Sequence, residues 1–156
     1  MAMHTWFECK IRYEKVMENG MQKKVTEPYL VDALSFTEAE ARIIEEMTPF
    51  ISGEFTVSDI KRANYSELFP SDEESADRWF KCKLIFITLD EKSGAEKKTS
   101  TQVLVQAADL RDAVKKLDEG MKGTMADYQI GMVSETPLMD VSVSYTHLRA
   151  HETDSY

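Results

Sequence analysis

The sequence predicts an α+β protein built from two copies of one ββαβ unit, with antiparallel sheet pairing, helices packed on one face and a pseudo-twofold relation between the copies. Three observations carry this expectation. Trp6-Phe-Glu-Cys-Lys10 recurs as Trp79-Phe-Lys-Cys-Lys83. Each motif opens a stretch of alternating apolar and polar residues, the period of a half-buried strand. Each copy then holds one amphipathic helix for three strands, too little helix to cover both faces of a sheet.

The first strand places Phe7, Cys9, Ile11 and Tyr13 on one face and Trp6, Glu8, Lys10 and Arg12 on the other. Glu18-Asn-Gly20 supplies a hairpin turn, since Asn-Gly accepts positive φ at little cost. A second strand follows to about Ala33, with Pro28 suggesting an edge, a bulge or a strand start. Ser35-x-x-Glu38 is a capping-box pattern. It opens a helix whose apolar stripe is Phe36, Ala39, Ile43, Met47 and Phe50, broken near Pro49. Ser52-Gly53 turns the chain into a third strand through Phe55 and Val57.

The second copy repeats the plan with one residue inserted in its hairpin. Phe80, Cys82, Leu84 and Phe86 face the core, and Lys92-Ser-Gly94 turns. Asp109 caps a helix with the stripe Leu110, Ala113, Val114, Leu117 and Met121, and Gly120 and Gly123 stop it. Gly20, Leu30, Val31, Ala33, Ala39, Glu45 and Met47 thereby align with Gly94, Leu104, Val105, Ala107, Ala113, Glu119 and Met121. The first repeat is placed at residues 1–66 and the second at 79–142. Residues 67–78, with the run Ser71–Asp77, form an acidic linker between them.

Residues 143–153 read Val-Ser-Tyr-Thr-His-Leu-Arg-Ala-His-Glu-Thr. They resemble the translation of a transposon-based sequencing adapter and carry no turn or cap that joins them to what precedes. Residues 143–156 are therefore taken as a non-native tail, outside the fold. His147 and His151 have the i, i+4 spacing of a helical metal pair, but they fall in that tail, which leaves His4 alone.

With 156 residues, 42% hydrophobic and 30% charged, the chain has an ordinary globular balance. No apolar run reaches the length of a membrane span, and the start lacks the basic-then-apolar build of a secretory signal. Two cysteines give no disulfide framework, so a cytoplasmic location is expected. Cys9 and Cys82 occupy equivalent apolar-face positions and read as small buried hydrophobes. No glycine-rich phosphate cradle and no calcium-loop spacing occurs. Carboxylate pairs such as Glu38/Glu40 and Glu45/Glu46 read as solvated helix faces. Nothing pairs a nucleophile with a base. Neither a cofactor nor a metal is expected, and the chain reads as non-enzymatic.

The face away from the helices is the candidate binding surface. It carries Trp6, Lys10 and Arg12 from one copy and Trp79, Lys81 and Lys83 from the other, with Lys23-Lys24 and Lys97-Lys98 near the hairpin ends. Indoles rimmed by charge suit a protein–protein hot spot. The same ingredients suit single-stranded nucleic acid, which the net charge of −9 disfavours.

Thr5-Trp-Phe-Glu-Cys-Lys10 and Glu27-Pro-Tyr-Leu-Val-Asp-Ala-Leu-Ser-Phe-Thr-Glu-Ala-Glu-Ala-Arg42 resemble a Bacteroidota family known as a domain of unknown function, of the DUF4494 type. The resemblance covers residues 3 to about 141. It implies a small cytoplasmic bacterial protein and transfers no activity, cofactor or catalytic residue. The leading expectation is a small interaction module that binds a protein partner or itself, with no membrane. Single-stranded nucleic-acid binding through the same face is the alternative. A third is an enzyme or small-ligand site between the two repeats.

Overall fold

A computed structural model describes residues 5–124 and 127–142; His4 and the whole tail 143–156 lie outside them. The elements are β1 (Trp6–Val16), β2 (Gln22–Asp32), α1 (Phe36–Met47), β3 (Phe55–Ala63), β4 (Glu67–Phe69), β5 (Arg78–Leu89), β6 (Glu96–Ala107), α2 (Leu110–Gly120), β7 (Asp127–Glu135) and β8 (Asp140–Ser142). The protein is α+β. Its strands form two four-stranded sheets, ordered β3-β1-β2-β8 and β4-β6-β5-β7.

Two details of the expected architecture change. The sheets are mixed rather than purely antiparallel, because β8 pairs parallel to β2 and β4 parallel to β6. The acidic stretch 67–78 is not all linker, since its first residues form β4. The chain divides into two compact units: β1, β2, α1 and β3 are joined by β8, and β5, β6, α2 and β7 by β4. Each repeat is thus followed by a short strand that completes the other repeat's sheet. The reason lies in β2 and β6, where Tyr29-Leu-Val31 and Val103-Leu-Val105 are unbroken apolar runs. Their edge needs a pairing strand to satisfy backbone groups that burial removes from water.

The two units share their local features. Each hairpin turns through a glycine at positive φ, Gly20 at 82° and Gly94 at 71°, a conformation with no Cβ penalty. The ladder between the first and third strands shifts register between Lys10 and Ile11 in one unit and between Lys83 and Leu84 in the other. Ser35 accepts from the Glu38 amide at 3.1 Å, and Asp109 from the Asp112 amide at 2.8 Å. Each cap satisfies one of the orphan donors at a helix start.

Each helix packs one stripe on its own sheet. In the first unit Ala39, Ile43 and Met47 meet Phe7, Cys9, Ile11 and Val31. In the second, Ala113, Leu117 and Met121 meet Phe80, Cys82, Leu84, Val103 and Val105. Phe36 and Phe50, expected in the first stripe, are both exposed. Phe36 sits at the helix start and touches Phe7 edge-on at 4.9 Å. Phe50 follows Pro49, beyond the end of α1.

One basic residue on each helix fixes the exchanged strand. Arg42 donates to the carbonyl and carboxylate of Asp32 and, at 3.3 Å, to Ser142 Oγ at the end of β8. Lys116, its counterpart, donates to Ser71 Oγ at 3.0 Å just after β4 and pairs with Glu73 at 3.3 Å.

Candidate functional site

The six residues singled out from sequence do not form one exposed surface. Trp6 and Trp79 are buried, at 4% and 5% exposure, although neither belongs to the apolar cluster beneath its helix. Lys10 and Lys81 are half-buried, and only Arg12 and Lys83 are exposed. The expected outward pair of indoles is therefore absent. The physical reason is that the helix-averse face is itself apolar at this end. Leu30 lies opposite Glu8 and Leu104 opposite Lys81 in the strand register, and both leucines are fully buried. The missed signal was the unbroken apolar run in β2 and β6, which marks strands buried on both faces.

A groove opens instead at the hairpin end of the first unit. β1 outruns β3, whose ladder stops at the pair Tyr13–Phe55. The last residues of β1 then face the α1–β3 loop across a groove of about 840 Å³, lined among others by Arg12, Val16, Lys24 and Phe50. The amides of Phe50 and Ile51 both donate to the Met47 carbonyl at 3.0 Å, tightening the turn that ends the helix. That turn carries Phe50 out of the stripe, leaving it 79% exposed, and Val16 across the groove is 64% exposed. Met17 and Met21 are exposed at the adjoining hairpin tip.

Of the six residues Arg12 alone lines this groove, joined by Lys24 from the lysines expected near the hairpin ends. Val16 and Phe50 were missed because their sequence context reads as a strand end and a helix stripe. Only the position of Pro49, which stops the helix one residue before Phe50, hinted at the outcome.

Next to the groove lies a polar cluster. The buried Glu27 carboxylate accepts from Tyr13 Oη at 2.7 Å and from Tyr29 Oη at 3.3 Å, and Lys15 Nζ stands 3.4 Å away. Burial and the neighbouring Glu27 push the Tyr13 phenol up to about 12 from its ordinary 10.0, and the same two causes raise Tyr29. The cluster joins β1 to β2 at the height where the groove begins.

The two thiols are unsuited to nucleophilic work. Burial raises Cys9 to about 12, with Glu8 and Asp59 adding to the effect, and burial alone raises Cys82 to about 11. A thiol is reactive as its thiolate, and both side chains are sealed in the helix-side cores. Among the described residues no group of three or more acidic, histidine or cysteine side chains is placed to hold a metal ion. No described helix is long and apolar enough to cross a membrane.

Comparison with known proteins adds family membership alone. No curated protein and no solved structure matches the chain. The family model described as "Domain of unknown function (DUF4494)" matches residues 5–145, so the chain belongs to that family.

Proposed function

We propose that the protein is a small non-enzymatic interaction module of the cytoplasm that binds a protein partner through the hairpin-end groove of its first unit. The observation that carries this reading is an exposed apolar pair, Val16 and Phe50, lining one groove together with Arg12 and Lys24. Aromatic side chains, methionine and arginine are the residues enriched at the centre of protein interfaces. Phe50 adds nothing to the core of its own unit, and it lines the same groove as the exposed Val16 rather than standing alone.

Features that both units share, from the buried tryptophans and cysteines to the caps and the basic helix residue, are accounted for by folding. Of the groove's apolar pair, Val16 has a counterpart in the second unit, the exposed Leu89, whereas Phe50 has none. Counting on in the repeat register, Phe50 corresponds to Thr124, and the second hairpin tip is the polar run Asp90–Ser93. Nucleic-acid binding is the weaker reading, because stacking platforms need accessible rings and both indoles are buried. An enzymatic reading finds raised, buried thiols where an activated nucleophile would be needed.

The test is affinity capture from the native host by the full chain, beside the V16D/F50D double variant and L89D in the second unit. The double variant is expected to weaken capture about thirtyfold or more, a hot-spot loss of about 2 kcal/mol. L89D, equally exposed but outside the groove, should capture as the parent does. Undiminished capture by the double variant, with the fold intact by circular dichroism, overturns the proposal.

A further inference from the structure

We infer that Met17 and Met21 form a reversible oxidation site at the rim of this groove. A peroxide converts their thioethers to sulfoxides and weakens partner binding, and a thiol-dependent reductase restores it. The inference rests on the docking site proposed above and adds its regulation.

The hairpin tip supplies the first argument. The β1–β2 ladder ends at the pair Val16–Gln22, and both residues line the groove. The next residues outward are Met17 and Met21, and the Met17 amide donates to the Met21 carbonyl at 2.8 Å. Opposed residues of an antiparallel pair carry their side chains on one face, so the two thioethers share a face of the tip. The turn fixes that arrangement. The Gly20 amide donates to the Met17 carbonyl at 2.9 Å, and the Met21 amide to Asn19 Oδ1 at 3.0 Å. In the second unit the ladder ends at Leu89–Glu96. The residues in the same place are Asp90 and Ala95, joined by the same backbone bond at 2.9 Å. A hairpin of this shape therefore needs no sulfur at its tip.

Accessibility supplies the second. Met21 is 67% exposed and Met17 39%, whereas Met47 and Met121 are buried in the helix-side cores. The two thiols, the other oxidisable sulfurs, are sealed in the same cores. Burial holds both in the protonated form, so almost no thiolate meets an oxidant. The exposed thioethers are left to react. A sulfur lone pair attacks one oxygen of hydrogen peroxide, the S–O bond forms, and the O–O bond breaks. The second oxygen leaves as water, so sulfur gives up the two electrons that the peroxide gains. The reductase returns them from two thiols, which end as a disulfide while the sulfoxide oxygen leaves as water. Oxidation thus replaces a flexible apolar side chain with a polar one. A partner that covers the rim beside Val16 must then strip water from the S–O dipoles.

The full chain is treated with hydrogen peroxide at neutral pH, cleared with catalase, mapped by mass spectrometry and then used for capture from the native host. Met17 and Met21 are expected to gain one oxygen each, while Met47, Met121, Cys9 and Cys82 gain none. Capture by the oxidised chain should fall about tenfold and return after treatment with methionine sulfoxide reductase and a dithiol. M17Q/M21Q, polar without oxidation, should lose a similar amount. M17L/M21L should capture equally before and after peroxide, whatever its starting level. Met132 and Met139, exposed outside the groove, are still oxidised in that variant and serve as its control. Undiminished capture by the oxidised chain, unmodified sulfur at the tip, or a peroxide-dependent loss that persists in M17L/M21L overturns the switch. In each of these cases, loss of capture by V16D/F50D leaves the docking site standing. Undiminished capture by V16D/F50D removes the site and the switch together.

Discussion

Both first strands end in an exposed apolar residue, Val16 and Leu89, but the first hairpin then turns through Met17 and Met21 beside an exposed Phe50, whereas the second turns through Asp90, Lys92 and Ser93. In the second, Ser93 Oγ donates to the Asp90 carboxylate at 3.0 Å and the Lys92 amide donates to the same group at 3.0 Å. That tip satisfies its own polar groups and offers water a polar surface. The first places Met17, Met21 and Phe50 in solvent. Beneath both tips the scaffolds coincide in strand order, bulge, glycine turn and helix stripe. Two units with one scaffold act as each other's control: what they share is explained by folding, and what one has alone calls for another explanation. A polar cluster follows the same division, for Tyr13, Glu27 and Tyr29 of the first unit correspond to Phe86, Thr101 and Val103 in the second.

The largest expected effect tests the shared part. Trp6→Ala and Trp79→Ala should each destabilise the protein by about 3–5 kcal/mol, as removing a buried indole does, and by similar amounts in the two units. Urea titration followed by circular dichroism measures it. A near-neutral result at either position would mean that its indole is accessible and would restore the open-face surface expected from sequence.

A second pair of variants separates two counterparts. Arg42→Ala removes the guanidinium from the Asp32 carboxylate, whose side chain is only 4% exposed, and should cost about 3 kcal/mol. Lys116→Ala gives up pairs with the more accessible Asp112 and the exposed Glu73, and should cost about 1 kcal/mol or less. Equal losses would show that burial of the acid does not govern these contacts.

The smallest effect concerns pH. A folded phenol with a raised pKa keeps its proton where the unfolded chain has lost it. The Tyr13 contribution is therefore complete below pH 10 and is lost as pH rises toward about 12. The raised thiols act in the same direction from their ordinary 9.0 upward, in both units. Tyr13→Phe should make the alkaline loss of stability shallower without abolishing it, seen as urea midpoints across that range. An unchanged slope would mean that Tyr13 does not couple to Glu27.

Much of this fold is legible in the residues. Alternation in Phe7–Tyr13 and Phe80–Phe86, glycines 20 and 94, the caps Ser35 and Asp109 and the stripe Ala113–Leu117–Met121 are local signals, and each element formed where they lie. The site was less legible. Reading one helix per sheet as leaving a bare face ignored Leu30 and Leu104, which interrupt the alternation of their own strands. The three-residue strands β4 and β8 carry almost no periodicity, so the acidic stretch around them read as linker. Phe50 fits a helical stripe by spacing and leaves it only because the helix ends first.

The sequence by itself determined the main strands and helices and which face of each strand meets a helix, because strand and helix periods and capping chemistry act over a few residues. Tertiary structure alone decided that the tryptophans are buried, that each sheet takes its last strand from beyond the other repeat, and that β1 outruns β3 to leave a groove edged by Val16 and Phe50. Those outcomes depend on which distant backbone pairs with which edge, and hydrogen bonds between such segments leave no pattern in either one alone.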